Sequence, residues 1–113
     1  MTRHEDGVRL RHMLEHAREA VSLAEGKRRE DLDTDHMLEL ALTRLVEIVG
    51  EAATRVSPSG QQDYPHIPWS EIAGLRNRLV HGYDAVDLDI LWVIVQDDLP
   101  PLIVALEQIV GEA

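Results

Sequence analysis

Apolar residues return at three- and four-residue intervals along almost all of this chain, and no stretch alternates apolar with polar as a half-buried strand does. Helical stripes of this kind must be buried against one another. The pattern therefore predicts an all-α protein, an up-and-down bundle of four to five helices with short connections. At 113 residues a single domain over 1–113 is expected, with core enough to need no disulfide or metal staple.

The first helix is expected from about Asp6 to Glu25, with Leu10, Met13, Leu14, Ala17, Val21 and Ala24 buried and Gly26 as its stop. "KRREDLD" reads as a solvated connection. Thr34 or Asp33 is the candidate cap of a second helix, with Asp35 in its first turn, running to about Val56. Gly50 in its interior costs roughly 1 kcal/mol against Ala, and a close helix–helix approach is the expected compensation. "SPSGQQDYPHIP" reads as a loop. A short third helix follows from about Pro68 to Val80, which Gly82 helps to end. Asp87 caps a fourth through Leu99. Pro100 and Pro101 must kink or break it before "PLIVALEQIVGE" resumes as helix. Excess apolar residues there (Ile90, Val93, Ile94, Val104) fit either a dimer face or a wholly buried helix.

Composition removes several functions. There is no cysteine, so thiol catalysis and Cys-based zinc sites are excluded. A net charge of −10 argues against a generic nucleic-acid coat while leaving room for a local basic site, since much of the acid sits in "REDLDTD" and "DAVDLD". With no Phe, and only Trp69, Trp92, Tyr64 and Tyr83 as aromatics, a stacking platform for single-stranded RNA is not expected. The opening "MTRHEDGVRLRH" lacks the apolar core of a signal peptide, and no apolar run approaches the roughly 20 residues of a membrane span. The expectation is a soluble, cytoplasmic protein with no membrane partner.

"HMLEH", His12 to His16, matches a short zinc-peptidase pattern. Helical phase puts both histidines opposite the apolar stripe and no third ligand follows, so two exposed histidines are expected and no metal site. His36 reads as first-turn surface, and Asp97 with Asp98 as a solvated patch. Glu47 and Glu51 share a face, as an exposed polar stripe or as support for nearby arginines.

The densest chemistry lies in "GLRNRLVHGYD", Gly74 to Asp84. With Trp69, Ile72, Leu75 and Leu79 as the apolar stripe, Arg76 falls inside it and Arg78 outside, toward solvent. An unpartnered buried guanidinium is costly, so Arg76 either pairs with an internal carboxylate or faces a cleft or interface. His81 would point away from Arg76 on a continued helix. A helix ending near Val80 lets it swing back, or both residues meet groups of a symmetry-related chain. Arg offers a fork of donors to phosphate, and His moves protons near neutrality. Two such pairs would supply base and acid for RNA cleavage, with Arg stabilising the phosphorane. A structural ion pair for Arg76 and a helix-terminal cation for His81 is the alternative.

"VEIVGEAATRVS" followed by "YPHIPWSEIAGLRNRLVHGYDAVDLDILWVIVQDDLPPL" resembles, over nearly the whole length, the HEPN superfamily and within it the HepT toxins. Arg76 and His81 match the family's R-x4–6-H motif, Asn77 its supporting polar residue, and Tyr83 the tyrosine of the longer R-x4-H-x-Y form. The resemblance implies a homodimeric HEPN-like bundle that cleaves RNA with no metal or other cofactor, its site formed where two motifs meet. It also implies a partner, a minimal nucleotidyltransferase antitoxin of the MntA type that attaches AMP to Tyr83. Phosphate charge there would compete for the cationic pocket. Arg78 and Arg44 are further candidate RNA contacts outside the motif. The competing expectations are a non-catalytic helical subunit presenting substrate to a nucleotidyltransferase, and a plain interaction module.

Overall fold

The computed structural model describes residues 3–81 and 85–111, with side chains from residue 4 onward except that of His81. The expected all-α architecture is present. Helix α1 spans Arg3–Ala24, α2 Asp31–Thr34, α3 His36–Thr54, α4 Pro58–Asp63, α5 Trp69–Ala73 and α6 Leu75–Leu79. A two-residue antiparallel pair follows, β1 Val80–His81 with β2 Ala85–Val86, then α7 Leu88–Val93, a π turn Ile94–Asp98, and α8 Leu99–Val110. Helix α1 packs on both α3 and α8, while α3 also carries α5 and α6. Its predicted stripe is buried except for half-exposed Val21, and it meets Leu42, Val46, Val49, Leu99 and Leu106 in one continuous core. No helix among the described residues is long and apolar enough to cross a membrane.

Several boundaries differ from the sequence expectation for local chemical reasons. Gly26 does stop α1, with φ at 77°. The solvated connection instead winds into α2 because Leu32 finds a buried seat beside the core. The cap of α3 is Asp35 rather than Thr34 or Asp33, its carboxylate accepting from the Leu38 N–H at 3.0 Å. The stretch read as a loop holds α4, since Ser57 caps it through the Gly60 N–H and Pro58 occupies its first turn. Pro100 and Pro101 do not break the last helix. They sit in the first turn of α8, and the wider π turn before them closes with Leu99 N–H donating to the Ile94 carbonyl. The β1–β2 pair was not expected, because two residues a side are too few to alternate visibly.

One buried polar knot ties the chain's start to its middle. Asp6 accepts from the Ser57 N–H at 2.9 Å and the Ser57 hydroxyl at 2.6 Å, and a Cβ on Gly60 would lie 2.5 Å from Asp6 Oδ2. Gly60 is therefore required by close approach. These donated hydrogen bonds hold the Asp6 carboxyl below the ordinary aspartate range. A lowered folded value means the stabilisation is complete above that range and is lost as pH falls through it. Asp6→Asn is expected to cost about 2 kcal/mol at neutral pH. The gap to wild type should narrow below about pH 4, as read by denaturant unfolding over a pH series.

Candidate active site

The site is built on α3. Gly50, fully buried there, lets the helix touch the α5–α6 junction: a Cβ at that position would sit 3.1 Å from the Ile72 carbonyl oxygen and 3.7 Å from Leu75 Cβ. This is the close approach that the glycine implied. It seats α6 directly over the outward face of α3, where Arg44, Glu47 and Glu51 follow one another at helical spacing.

The third helix is not continuous. Gly74 divides it into α5 and α6, and a Cβ there would crowd the Ser70 carbonyl at 3.2 Å. Ile72, Leu75 and Leu79 keep the predicted buried stripe across this break, but Arg76, which phase places inside the stripe, lies exposed at its edge. Leu75 and Leu79 are fully buried one turn apart, and Arg76, Asn77 and Arg78 all lie on the exposed side. The Arg76 side chain keeps 69% of its surface, so it faces open space and not a closed core.

Arg76 and Arg78 meet different carboxylates. Arg76 Nε lies 3.5 Å from Glu47 Oε2, and the other oxygen of Glu47 lies 3.8 Å from Arg44 Nη1. Glu51 stands 4.0 Å from the same Arg44 nitrogen. On the opposite side of α6, Arg78 Nη1 donates to Asp98 Oδ2 at 2.7 Å, so Asp98 is a partner and not a plain solvated patch. That pair borders a cleft of about 190 Å³ floored by Ile67, Ile72 and Leu102. Two residues apart on a helix means roughly 200°, which is why Arg76 and Arg78 serve separate surfaces.

Helix α6 ends at Leu79. Its last turn closes with the Val80 N–H on the Arg76 carbonyl, and Val80 is already extended at φ −98° and ψ 126°. His81 thus leaves the helix on β1, its backbone paired opposite Ala85, which matches the expectation of a helix that stops before the histidine. The side chain of His81, together with Gly82 and Tyr83, lies outside the described residues. Asn77 is exposed beside Arg76.

The other histidine pair is a local structure. His16 Nδ1–H donates to the His12 carbonyl at 2.7 Å, and the rings meet edge to face at 6.1 Å. Both are half-buried, a correction to the solvent face expected for them. Among the described residues no group of three His, Asp or Glu side chains is placed to hold a metal.

Residues 13–109 match the family model described as ribonuclease HepT-like. The chain belongs to the HepT-like ribonuclease family. This HepT-like ribonuclease is 38% identical over 93 residues to "Probable ribonuclease HepT" of Thermococcus cleftensis, covering 79% of this chain and 84% of the relative. It is 32% identical over 90 residues to "Putative RNase MJ1380" of Methanocaldococcus jannaschii, covering 80% and 83%. A third relative, "Putative RNase TTE0752" of Caldanaerobacter subterraneus, is 32% identical over 93 residues, covering 82% and 83%. No solved structure gives a significant match.

Sequence reasoning did not find Asp98 as the partner of Arg78, because twenty residues separate them and no local spacing links the two. Glu47 was visible as a possible support, and its bridging position follows from the glycine three residues on. Because Gly50 sets the seat of α6, Gly50→Val should push the junction off α3. The expected loss is about 1–3 kcal/mol of stability, measured by thermal or denaturant unfolding.

Proposed function

We propose that this HepT-like ribonuclease is the toxin of a toxin–antitoxin pair, acting in the cytoplasm as a metal-independent endoribonuclease. Arg76 and His81 carry the chemistry, with Asn77 in support. The observation that carries the reading is the exposure of Arg76. Its guanidinium stands clear of the core on a helix that stops two residues before His81, and Glu47 meets it only at Nε. The alternative, an ion pair of Arg76 in a closed core, does not fit a side chain left 69% exposed.

The reaction that fits is transesterification. One histidine removes the 2′-OH proton, the 2′ oxygen attacks the adjacent phosphorus, and the second histidine protonates the departing 5′ oxygen. Arg76 donates to the phosphoryl oxygens as negative charge builds on them. Since each chain has one such motif, the reading requires two copies around an axis. Support for a homodimer comes from the same outward face of α3. Met37 is 81% and Leu40 52% exposed there, in line with Arg44 and Glu47, leaving apolar surface that a second copy would cover. Arg78 is a further candidate RNA contact if phosphate displaces it from Asp98.

Control would come from a minimal nucleotidyltransferase antitoxin. Its ATP would transfer AMP to the Tyr83 hydroxyl with release of pyrophosphate, placing a phosphodiester two residues from His81. What supports this is the R-x4-H-x-Y spacing from Arg76 to Tyr83.

Arg76→Ala is expected to lower RNA cleavage by about 10²–10³-fold, and His81→Ala by about 10²–10⁴-fold, without loss of the fold. Wild-type cleavage by either purified variant would contradict the assignment. Tyr83→Phe should remain active after incubation with the nucleotidyltransferase and ATP, whereas the wild type is silenced. A stable complex with that enzyme and no RNA turnover by wild type would favour the non-catalytic subunit instead.

A further inference from the structure

We infer that Glu47 is a positioning residue for the cleavage step, acting through Arg76. This rests on the ribonuclease reading of Arg76. Three observations converge on the carboxylate. Its side chain is only 22% exposed, although it lies between two arginines that are 69% and 61% exposed. Its two oxygens are divided, Oε2 toward Arg76 Nε and Oε1 toward Arg44 Nη1. And it stands on α3 one turn before Gly50, at the point where α3 touches the junction that begins α6.

The division of oxygens has a geometric result. A guanidinium has a fork of donors, and a carboxylate facing both Nε and one terminal nitrogen would consume half of it. Here the nearest approach is at Nε, at a distance longer than a tight hydrogen bond. The two terminal nitrogens stay available for a phosphoryl group, and no other acid lies within pairing distance of Arg76 among the described residues. A free arginine on a short surface helix would sample many rotamers. Drawn toward Glu47 through Nε, it favours one edge, so less ordering entropy is left for the transition state. Arg44, 3.8 Å from the other oxygen, draws Glu47 away from the Arg76 fork, and the shared carboxylate offsets repulsion between the two cations.

The same carboxylate lowers the positive potential that attracts RNA. Its removal therefore weakens turnover without weakening binding, and this separates positioning from other roles. Glu47→Gln preserves shape, removes the charge and loosens the grip on Nε. Steady-state cleavage of a short RNA oligonucleotide is expected to show kcat reduced roughly 10-fold or more, with KM unchanged or lower. Binding of the 2′-deoxy analogue should be as tight as to wild type or tighter. Arg44→Gln, which frees only the anchoring oxygen, should show a smaller fall in kcat. In an Arg76→Lys background, where no Nε–H is present, Glu47→Gln should have no further effect on kcat.

A carboxylate that merely competes with phosphate would give unchanged kcat and raised kcat/KM on Glu47→Gln, which overturns the inference. So does an equal fall in kcat in the Arg76→Lys background. A purely structural role would appear as lost thermal stability with raised KM, and that result overturns it too. Failure of the underlying reading is distinguishable, because Arg76→Ala would then cleave as well as wild type whatever Glu47 does.

Discussion

The contact of Gly50 with the Ile72 carbonyl is the constraint on which the rest depends. It brings the backbone of α5 within van der Waals distance of α3, a tighter approach than most Cβ contacts allow. From that contact follow the burial of Leu75, the seat of α6, and the meeting of Arg76 with a carboxylate one turn away on α3. Leu75 and Leu79, one turn apart on α6, lock into the core, while Arg76, Asn77 and Arg78 between them stay exposed.

The short length of α6 has a chemical consequence. Five residues make little more than one turn, so Arg76 and Arg78 project to opposite sides and acquire partners with different demands. Arg78 is closely paired with Asp98 at the rim of a cleft. Arg76 is loosely held and open. A strongly acidic chain thus keeps the Arg76 guanidinium open to solvent. The abrupt change to extended backbone at Val80 then carries the chain away from the helix axis before His81.

Much of this was legible in the residues. The 3.6-residue period gave the all-α class and nearly every core position of α1, because burial is what that period encodes. Gly26 and Asp87 were readable as stop and cap since their roles are local. Gly50 signalled a close approach, though not its partner. Whatever depended on distant residues was not legible: the Asp6–Ser57 knot spans 51 positions, and Arg78 reaches Asp98 across 20. Arg76 sits at the edge of the stripe that Ile72, Leu75 and Leu79 define, and phase alone does not tell a buried edge position from one left open.

The central claim is that Arg and His act on an RNA phosphate through the neighbouring 2′-OH. Its most direct test is the chemistry of the ends that the purified protein leaves on a defined oligonucleotide in the presence of chelator. Mass spectrometry should find a 2′,3′-cyclic phosphate on one fragment and a 5′-hydroxyl on the other, with no cut at a position carrying a single 2′-deoxy sugar. Fragments ending in a 3′-hydroxyl and a 5′-phosphate, or cleavage that persists at the deoxy position, would contradict it.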